Sequence, residues 1–461
     1  MLNRFFGTRD FYRRLIALVI PIMIQNGITN FVNMLDNIMI GRVGTLQMTG
    51  VSVTNQLIFV FNLCVFGAIS GAGIFGAQFY GKGDHKGLQH TLRFKLLFCL
   101  TITLIGVGIF IFYGDNLINF YLKGEGKAED AAASLMYAKQ YLFTMLIGII
   151  PYTIAQCYAS TLRETGQTIV PMVAGISAVA VNMSLNYVLI FGKLGAPKLG
   201  VVGAAIATVV SRFAELLVVV VWTHVHKKEN KFIVGIYRHF TIPGKLCSQI
   251  LIKGLPLMLN ESLWGAGMAM INQCYSIRGL NVVAATNIST TFYNVFSVAF
   301  LSVGMAIGIL IGQQLGSGKT EDVRDTARHS ITFSVLVSLV IGIIYALVAK
   351  YIPYAYNTTE DVRNIATGFM VITALTMPIE SYVNAAYFTL RSGGKTLITI
   401  IFDSFFVWCV SVVVAFILSH YTTLPILTIF LMNNLLNLIK CLLGYIFISK
   451  GIWIKNIVSE G

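Results

Sequence analysis

Acidic side chains inside long apolar stretches are the residues of this sequence best suited to chemistry. Asp36 lies in the stretch Pro21–Gly44, within a span long and apolar enough to cross a bilayer. The amides of the same stretch are Gln25, Asn26, Asn30, Asn33 and Asn37. An ionised aspartate in the middle of a lipid-facing helix costs ~3 kcal/mol or more, so such a residue normally faces protein or water. We therefore expect this helix to line a cavity and Asp36 to bind a cation or a proton.

Neutral oxygen donors in two later spans could complete a site around Asp36. Asn182 and Asn186 are four residues apart, hence on one helix face, and Thr208 lies in the next span. A carboxylate, two amide oxygens and a hydroxyl form a set suited to Na⁺, or to a bound proton with water. The alternative is that these groups only hydrogen-bond neighbouring helices.

The second half of the chain carries further acids, Glu261, Glu380 and Asp403. Glu261 is some twelve residues into its helix, ~18 Å from the start at 1.5 Å per residue and so near the midplane. These carboxyls suit proton exchange or attraction of an organic cation, and Trp264 could assist through a cation–π contact. Asp403 lies only ~10 Å from its helix end, so a structural role is as well supported there as a functional one.

The remaining charged residues of the spans have structural interpretations. Arg212 and Glu215 are three residues apart and can neutralise one another. Lys95, Lys139 and Lys440 lie near enough to span ends for their ammonium groups to snorkel to the interface.

The composition predicts the class of protein that must position these side chains. The chain has 461 residues, 56% hydrophobic and 11% charged, and its mean hydropathy is +0.76. About 20 apolar residues cross a bilayer as a helix. We predict an all-α polytopic membrane protein with about twelve spans, near 15–41, 51–79, 92–113, 136–162, 168–191, 200–225, 249–275, 286–315, 327–349, 364–390, 396–419 and 424–449.

The net charge of +14 is distributed as in a membrane protein and does not indicate a nucleic-acid partner. Lysine and arginine concentrate in alternate loops, for example at Arg9, Arg13, Lys82 and Lys319. By the positive-inside rule this places both termini in the cytoplasm, which agrees with an even number of spans in the inner (plasma) membrane.

Two other features predict no chemistry. The seven cysteines have no metal or redox spacing and are typical of apolar packing. Gly71–Gly76 matches the dinucleotide pattern GxGxxG, but it lies inside a membrane span without a preceding strand. We interpret its glycines as sites of close helix packing.

An internal repeat divides the chain into two six-helix lobes. A shift of 235 residues lays AQFYGKG on GQQLGSG, with Gly81 on Gly316 and Gly83 on Gly318. A shift of 228 lays TLRETGQT on TLRSGGKT. We predict pseudo-symmetric lobes at 1–226 and 248–461, joined by a cytoplasmic linker at 227–247. The repeat places Ile271 opposite Asp36 and Asn26 opposite Glu261, so the acids are not duplicated.

The ordered motifs resemble the multidrug and toxic compound extrusion (MATE) transporters over nearly the whole chain. They are DNIMIGRVG, GAQFYGKGD, TLRETGQT, NESLWGAG and TLRSGGKT. The resemblance implies export of cationic or amphipathic compounds, driven by inward Na⁺ or H⁺ flow, by a V-shaped pair of lobes.

The family's functional positions fall on residues already singled out. The first-helix acid falls on Asp36, the fifth-helix asparagine on Asn182 and the sixth-helix threonine on Thr208. Many members carry aspartate at the position of Asn186, which gives them two carboxylates at the cation site. This chain has an amide there instead. The seventh-helix acid of many members falls on Glu261, and the tenth-helix acid of one subgroup falls on Glu380. The resemblance does not decide whether the coupling ion is Na⁺ or H⁺, or which lobe binds it.

The leading hypothesis is therefore a secondary active exporter in which ion and substrate bind around Asp36 and Glu261. The rival is a flippase of lipids or lipid-linked oligosaccharides, which would need a basic site for phosphate. A third possibility, a membrane-embedded enzyme, is disfavoured because the sequence shows no nucleophile–base pair and no His/Asp metal site. We expect no cofactor besides the coupling ion, small molecules and the bilayer as partners, and a monomer.

Overall fold

The computed structural model describes residues 6–122, 128–356 and 358–459, which are almost wholly helical and contain no strand. The helices of the first half are α1 (Arg9–Gly41), α2 (Thr45–Lys82), α3 (His85–Leu122), α4 (Ala128–Glu164), α5 (Ile169–Phe191) and α6 (Gly200–Val225). Those of the second half are α7 (Gly244–Ser276), α8 (Leu280–Phe296), α9 (Val298–Gly316), α10 (Val323–Ala349), α11 (Glu360–Ser392), α12 (Thr396–Ile400), α13 (Val412–Tyr421), α14 (Ile426–Leu435) and α15 (Asn437–Lys450).

The predicted fold class is confirmed. Among the described residues, 11 helices are long and apolar enough to cross a membrane. The helix that covers the seventh predicted span, α7, lies outside these eleven and carries Lys253, Asn260 and Glu261. The chain is a multi-pass helical membrane protein.

Three predicted spans contain interruptions that hydropathy does not reveal. The span at 286–315 consists of α8 and α9, which meet at Ser297. The span at 396–419 contains two π-helical turns, Ile401–Phe405 and Val407–Ser411, between α12 and α13. The last span is divided at Leu436 into α14 and α15. Single π turns inside α-helices occur frequently at functional sites.

The contacts group the chain into two compact units, which we name after their acids. The Asp36 unit comprises residues 24–76 and 84–254, and the Glu261 unit comprises 1–23, 77–83 and 255–461. These units differ from the predicted lobes, whose boundaries at 226 and 248 stay a prediction. The difference arises because the start of α1 packs with the second half, where Leu15 and Ile22 share a buried core with Val303 and Ile307.

The predicted linker is ordered against α3 within the Asp36 unit. Its apolar side chains Phe232, Ile233 and Ile236 are buried. The Arg93 guanidinium donates hydrogen bonds to the carbonyls of Ile236 (2.9 Å) and Gly235 (3.0 Å). Backbone carbonyl groups of this segment are therefore satisfied by a side chain of the helix bundle.

The repeated glycine turn at the end of α2 and of α9 has equivalent geometry in both copies. Gly83 and Gly318 both have φ +78°, a left-handed conformation that costs glycine little. A Cβ on Gly81 would overlap the backbone of Gln313, and a Cβ on Gly316 would overlap the backbone of Gln78. The close approach is thus reciprocal between the aligned residues, as expected from the repeat.

Candidate functional site

The Asp36 unit brings the four predicted oxygen donors together. The Asn186 side-chain amide donates to Asp36 Oδ1 at 2.6 Å and to Asn182 Oδ1 at 3.0 Å. The Asn182 amide in turn donates to Thr208 Oγ1 at 3.2 Å. Asn182 and Asn186 are only 4% and 1% exposed. A continuous chain of polar groups therefore joins α1, α5 and α6.

Helix packing explains how three helices bring these side chains within contact. Asn182 and Asn186 are one turn apart on α5, so their amides line one face. On α6, a Cβ at Gly203 would lie 2.7 Å from the Leu189 carbonyl oxygen, which shows how closely α6 approaches α5. This approach places Thr208 against Asn182. The side chains of Asn33 and Asn37, part of the predicted polar run, lie outside the described residues.

Asp36 is held by neutral groups and makes no salt bridge within the described part of the chain. Arg212 interacts with it electrostatically but forms its own ion pair with Glu215, with Nη1 to Oε2 at 3.2 Å. The Arg212 guanidinium also lies 4.6 Å from the Tyr152 ring centre. The predicted Arg212–Glu215 pair is therefore present.

One buried oxygen in this network is available for a further ligand. Asn186 Oδ1 has no hydrogen-bond partner among the described residues, while the amide nitrogen of the same side chain serves both neighbours. Buried polar atoms are normally paired. An unpaired amide oxygen next to a carboxylate fits a small cation with hard-oxygen ligands.

The Glu261 unit places its predicted acids in two separate groups. The Tyr387 hydroxyl donates to Glu261 Oε1 at 2.9 Å, and the Tyr293 hydroxyl donates to Glu380 Oε2 at 2.9 Å. No hydrogen bond or ion pair joins Glu261 to Glu380 in the described residues. Trp264 is 38% exposed, and its indole donates no hydrogen bond within the described part of the chain. A different indole, that of Trp408, donates a hydrogen bond to the Leu263 carbonyl of α7 at 2.9 Å.

Asp403 and Lys440 form an ion pair that the sequence interpretation missed. Lys440 Nζ lies 2.7 Å from Asp403 Oδ1, and Lys440 is 4% exposed. The expectation that Lys440 snorkels to the interface is wrong, because a carboxylate on a neighbouring helix holds its ammonium inside the bundle. Asn260 donates to Asp403 Oδ2 at 3.2 Å and to the Tyr387 hydroxyl at 3.3 Å. A polar chain thus runs from Glu261 to Lys440.

The interrupted helices deliver these groups to one place. Asp403 and Ser404 lie in the first π-helical turn, and the Ser404 hydroxyl is 2.7 Å from both the carbonyl and the side-chain oxygen of Asn260. Lys440 comes one turn after the break at Leu436. The Lys440 ammonium also lies 5.4 Å from the Phe402 ring centre. The first π-helical turn and the break at Leu436 therefore lie at the polar chain.

A second buried lysine, Lys95, forms a comparable pair in the Asp36 unit. Its ammonium lies 2.5 Å from Glu164 Oε1 and contacts the hydroxyls of Ser160 and Thr161, at 3.2 and 3.1 Å. The snorkelling expectation is wrong for Lys95 as well, since this residue is 0% exposed. Lys139, by contrast, is 37% exposed in its side chain and pairs with Asp115.

The glycines of the GxGxxG stretch have packing roles. A Cβ on Gly73 would lie 2.8 Å from Glu164 Oε1, a Cβ on Gly76 would overlap Glu164 Oε2, and Gly71 opposes Gly254 backbone to backbone. The close-packing interpretation is thus supported. No group of three or more His, Cys, Asp or Glu side chains capable of holding a metal ion occurs in the described ranges.

Comparison with known proteins gives one family and a set of relatives. The MatE family profile matches residues 21–188 and 256–417. A probable multidrug resistance protein NorM of Thermotoga maritima is 30% identical over 291 residues, which cover 63% of this chain and 59% of that protein. A probable multidrug resistance protein YoeA of Bacillus subtilis is 25% identical over 427 residues, which cover 90% and 89%. The chain thus spans about three fifths of the first relative and most of the second.

Solved structures share the fold. A structure described as the outward-facing conformation of a multidrug resistance MATE family transporter matches with a TM-score of 0.85 at 20% identity, covering 97% of this chain and 98% of that one. A MOP superfamily transporter from Pyrococcus furiosus, described as having reversed polarity of its binding pocket, matches with a TM-score of 0.83 at 20% identity and the same coverage. At this identity the likeness concerns the fold alone.

Proposed function

This chain belongs to the MatE family, and we propose that it is a secondary active antiporter of the plasma membrane. It exports cationic or amphipathic compounds in exchange for H⁺ or Na⁺, with both termini in the cytoplasm. The names of its relatives, probable multidrug resistance proteins, support drug-like small molecules as substrates. The basic residues of alternate loops support the orientation.

The observation that carries the proposal is the setting of Asp36. Its carboxylate lies in the membrane-spanning bundle, receives a hydrogen bond from Asn186 at 2.6 Å and lacks a salt-bridge partner among the described residues. Arg212 interacts with Asp36 electrostatically but is held in its own ion pair with Glu215. A carboxylate that no ion pair neutralises is costly inside a membrane unless a mobile cation or proton binds to it. In the proposal Asp36, Asn182, Asn186 and Thr208 bind the coupling ion.

Glu261, Glu380 and Trp264 of the second half are proposed to interact with the cationic substrate or with a second proton. Glu261 and Glu380 are each oriented by a tyrosine hydroxyl, that of Tyr387 and that of Tyr293 respectively, at 2.9 Å. Ion and substrate can drive transport only if each binds the inward-open and outward-open states with different affinity.

Dye efflux from proteoliposomes tests the proposal and separates the two ions. An imposed Na⁺ gradient and an imposed pH gradient are applied in turn to the wild type, Asp36→Asn and the control Asp115→Asn, whose carboxylate is exposed and paired with Lys139. We expect efflux driven by at least one gradient, its loss in Asp36→Asn and its retention in Asp115→Asn. Full gradient-driven efflux by Asp36→Asn would contradict the role of Asp36.

The alternative function, a lipid or lipid-linked-oligosaccharide flippase, is less well supported. It needs free basic groups for phosphate, whereas the buried Lys440 and Lys95 are both neutralised by carboxylates. Cells that express the protein should gain resistance to cationic dyes. An envelope defect on deletion, without a change in dye resistance, would favour the flippase.

A further inference from the structure

The Glu261 unit buries an arginine, Arg391, near the end of α11. This residue is 9% exposed, and it forms no ion pair within the described part of the chain. Its Nη1 has no hydrogen-bond partner among the described residues. The guanidinium lies 5.2 Å from the ring centre of Phe388 and 6.0 Å from that of Tyr387. Buried donors are normally paired, so the absence of a partner for Nη1 in this conformation requires an explanation.

Glu261 is a carboxylate close enough to Arg391 to interact with it electrostatically. The hydrogen bond to Glu261 Oε1 nevertheless comes from the Tyr387 hydroxyl, at 2.9 Å. Tyr387 and Arg391 are four residues apart on α11, so both lie on one face of that helix. The arginine is therefore one helical turn from the residue that holds Glu261.

The other copy of the repeat contains the contact that Arg391 does not make. The shift of 228 residues lays Arg163 on Arg391, and the shift of 235 lays Gln25 on Asn260. In the Asp36 unit, Arg163 Nη1 donates to Gln25 Oε1 at 3.3 Å. The equivalent contact in the Glu261 unit would bring Arg391 to Asn260, which precedes Glu261 in the sequence.

Tyr387 explains why the second copy differs. Its equivalent at the shift of 228 is Ala159, which has a methyl group in place of the phenol ring. The Tyr387 hydroxyl accepts a hydrogen bond from Asn260 at 3.3 Å and donates to Glu261, so it occupies the place on α7 that the repeat assigns to the arginine. We propose that Arg391 and Tyr387 are alternative partners of Glu261, and that Arg391 neutralises this carboxylate whenever no exported cation is bound to it.

The exchange of partners gives the exporter an internal competitor for its cargo. An ionised carboxylate without a countercharge is costly inside a membrane. A bound organic cation neutralises Glu261 while Tyr387 orients it, and after release the guanidinium of Arg391 takes the place of the cation. The competition selects cationic cargo, because a neutral amphiphile cannot displace a guanidinium from a carboxylate. This consequence rests on the proposed function, whereas the alternative pairing of Arg391 with Glu261 does not.

Binding of ethidium, a permanent organic cation, to purified protein tests the competition. Its Kd is measured by fluorescence in detergent for the wild type, Arg391→Met, Arg391→Lys and the control Arg328→Met, whose arginine pairs with Asp325 near the surface. Removal of the competing charge in Arg391→Met should lower the Kd about fivefold, because Glu261 is then always available. Arg391→Lys keeps the charge, and it and the control should bind as the wild type does.

Two further variants distinguish competition from a purely structural role. Tyr387→Phe removes the other partner and leaves Glu261 to Arg391, so it should raise the Kd about threefold, and this rise should disappear when Arg391→Met is added. In a Glu261→Gln background, Arg391→Met should leave the Kd unchanged. A general loss of packing would not shift the Kd in opposite directions in Arg391→Met and Tyr387→Phe. If Arg391→Met does not fold, Arg391→Gln, which is also neutral, replaces it.

Three binding results would overturn the inference. The first is an unchanged or higher Kd in a folded Arg391→Met or Arg391→Gln variant. The second is an equal decrease in Kd in the Glu261→Gln background. The third is an absence of ethidium binding to the wild type and to Arg391→Met alike.

Transport in proteoliposomes separates this inference from the proposed function. Arg391→Met should retain the exchange of internal for external ethidium but lose net gradient-driven efflux about fivefold, because its empty Glu261 has no countercharge for the return step. Loss of exchange together with net efflux would overturn the role of Arg391 in that step. Absence of efflux in the wild type, with the shifts in Kd intact, would refute the proposed antiport but leave the pairing of Arg391 with Glu261 in place.

Discussion

Asp36 and Asp403 are membrane carboxylates of the two compact units, and they differ in the group that contacts them. Asp36 contacts the neutral amide of Asn186 at 2.6 Å, while Asp403 contacts the ammonium of Lys440 at 2.7 Å. Both have amide and hydroxyl groups close by. A buried carboxylate is therefore held by a neutral amide in one unit and by a fixed positive charge in the other.

The difference explains how a duplicated scaffold can support unequal halves. The repeat preserves the glycine turns, with identical φ at Gly83 and Gly318, because these positions determine how the backbones pack. It does not preserve the acids, since Ile271 occupies the position equivalent to Asp36. Backbone packing constrains both copies equally, whereas a buried charge needs partners in one copy only.

Removal of Lys440 should have the largest effect on stability. Lys440→Met leaves the Asp403 carboxylate buried without a countercharge, which costs about 3–5 kcal/mol. Thermal denaturation in detergent in the absence of Na⁺ measures this as a large decrease in Tm. Combination with Asp403→Asn removes the unpaired charge and should restore most of the loss. Equal Tm values for the single and double variants would show that the ion pair is unimportant.

Replacing Gly81 or Gly316 by alanine should have the next largest effect on stability. Gly81→Ala and Gly316→Ala each force a methyl group against backbone, at Gln313 and Gln78 respectively, and overpacking costs about 1–3 kcal/mol. The two losses should be similar because the contacts are equivalent. Gly108→Ala is the control, since nothing lies within 4 Å of its Cβ position, and it should be neutral or slightly stabilising. Clearly different decreases in stability for Gly81→Ala and Gly316→Ala would show that the two contacts are not energetically equivalent.

Most of the fold was predictable because bilayer crossing imposes a simple pattern. Long apolar stretches predict helices, and the glycine turns reveal the repeat. The break at Ser297 and the π-helical turns around Phe406 were not predictable. They depend on which side chains meet across helices, for example Ser404 with Asn260, and hydropathy is insensitive to such contacts. The grouping of the first 23 residues with the second half likewise depends on packing alone.

The candidate site was predictable where its residues share a helix face. The spacing of Asn182 and Asn186 predicts one face, and in the structure the Asn186 amide donates both to Asp36 and to Asn182. The Asp403–Lys440 pair was missed because its partners lie on different helices, and nothing in local sequence links them. A signal did exist, since Lys440 is ten residues before Lys450, ~15 Å along a helix, too far from the end for simple snorkelling. Asn260 and Tyr387 carry no charge and gave no comparable signal.

A second carboxylate beside Asp36 should sharpen the contrast between the units. Asn186→Asp adds a charged oxygen ligand and should tighten Na⁺ binding about tenfold, or 1.4 kcal/mol. The matched variant Asn260→Asp places a carboxylate beside Asp403, where Lys440 already supplies positive charge, and should change Na⁺ binding little. ²²Na⁺ binding to both purified variants measures the difference. A larger gain in Asn260→Asp would reverse the assignment of the open site to Asp36.

The smallest predicted effect concerns the hydroxyl that joins Glu261 to the ion pair. Tyr387→Phe removes a donor to Glu261 and an acceptor for Asn260, at a cost of about 1 kcal/mol. Because Asn260 also holds Asp403, the losses of Tyr387→Phe and Asp403→Asn should be non-additive by about 0.5 kcal/mol or more in a double-mutant cycle on thermal stability. Asp115→Asn, which removes an exposed carboxylate paired with Lys139 in the Asp36 unit, should be additive with Asp403→Asn, because no described hydrogen bond or ion pair links the two. If both cycles are additive, Glu261 and the Lys440 pair act as independent features rather than as one polar chain.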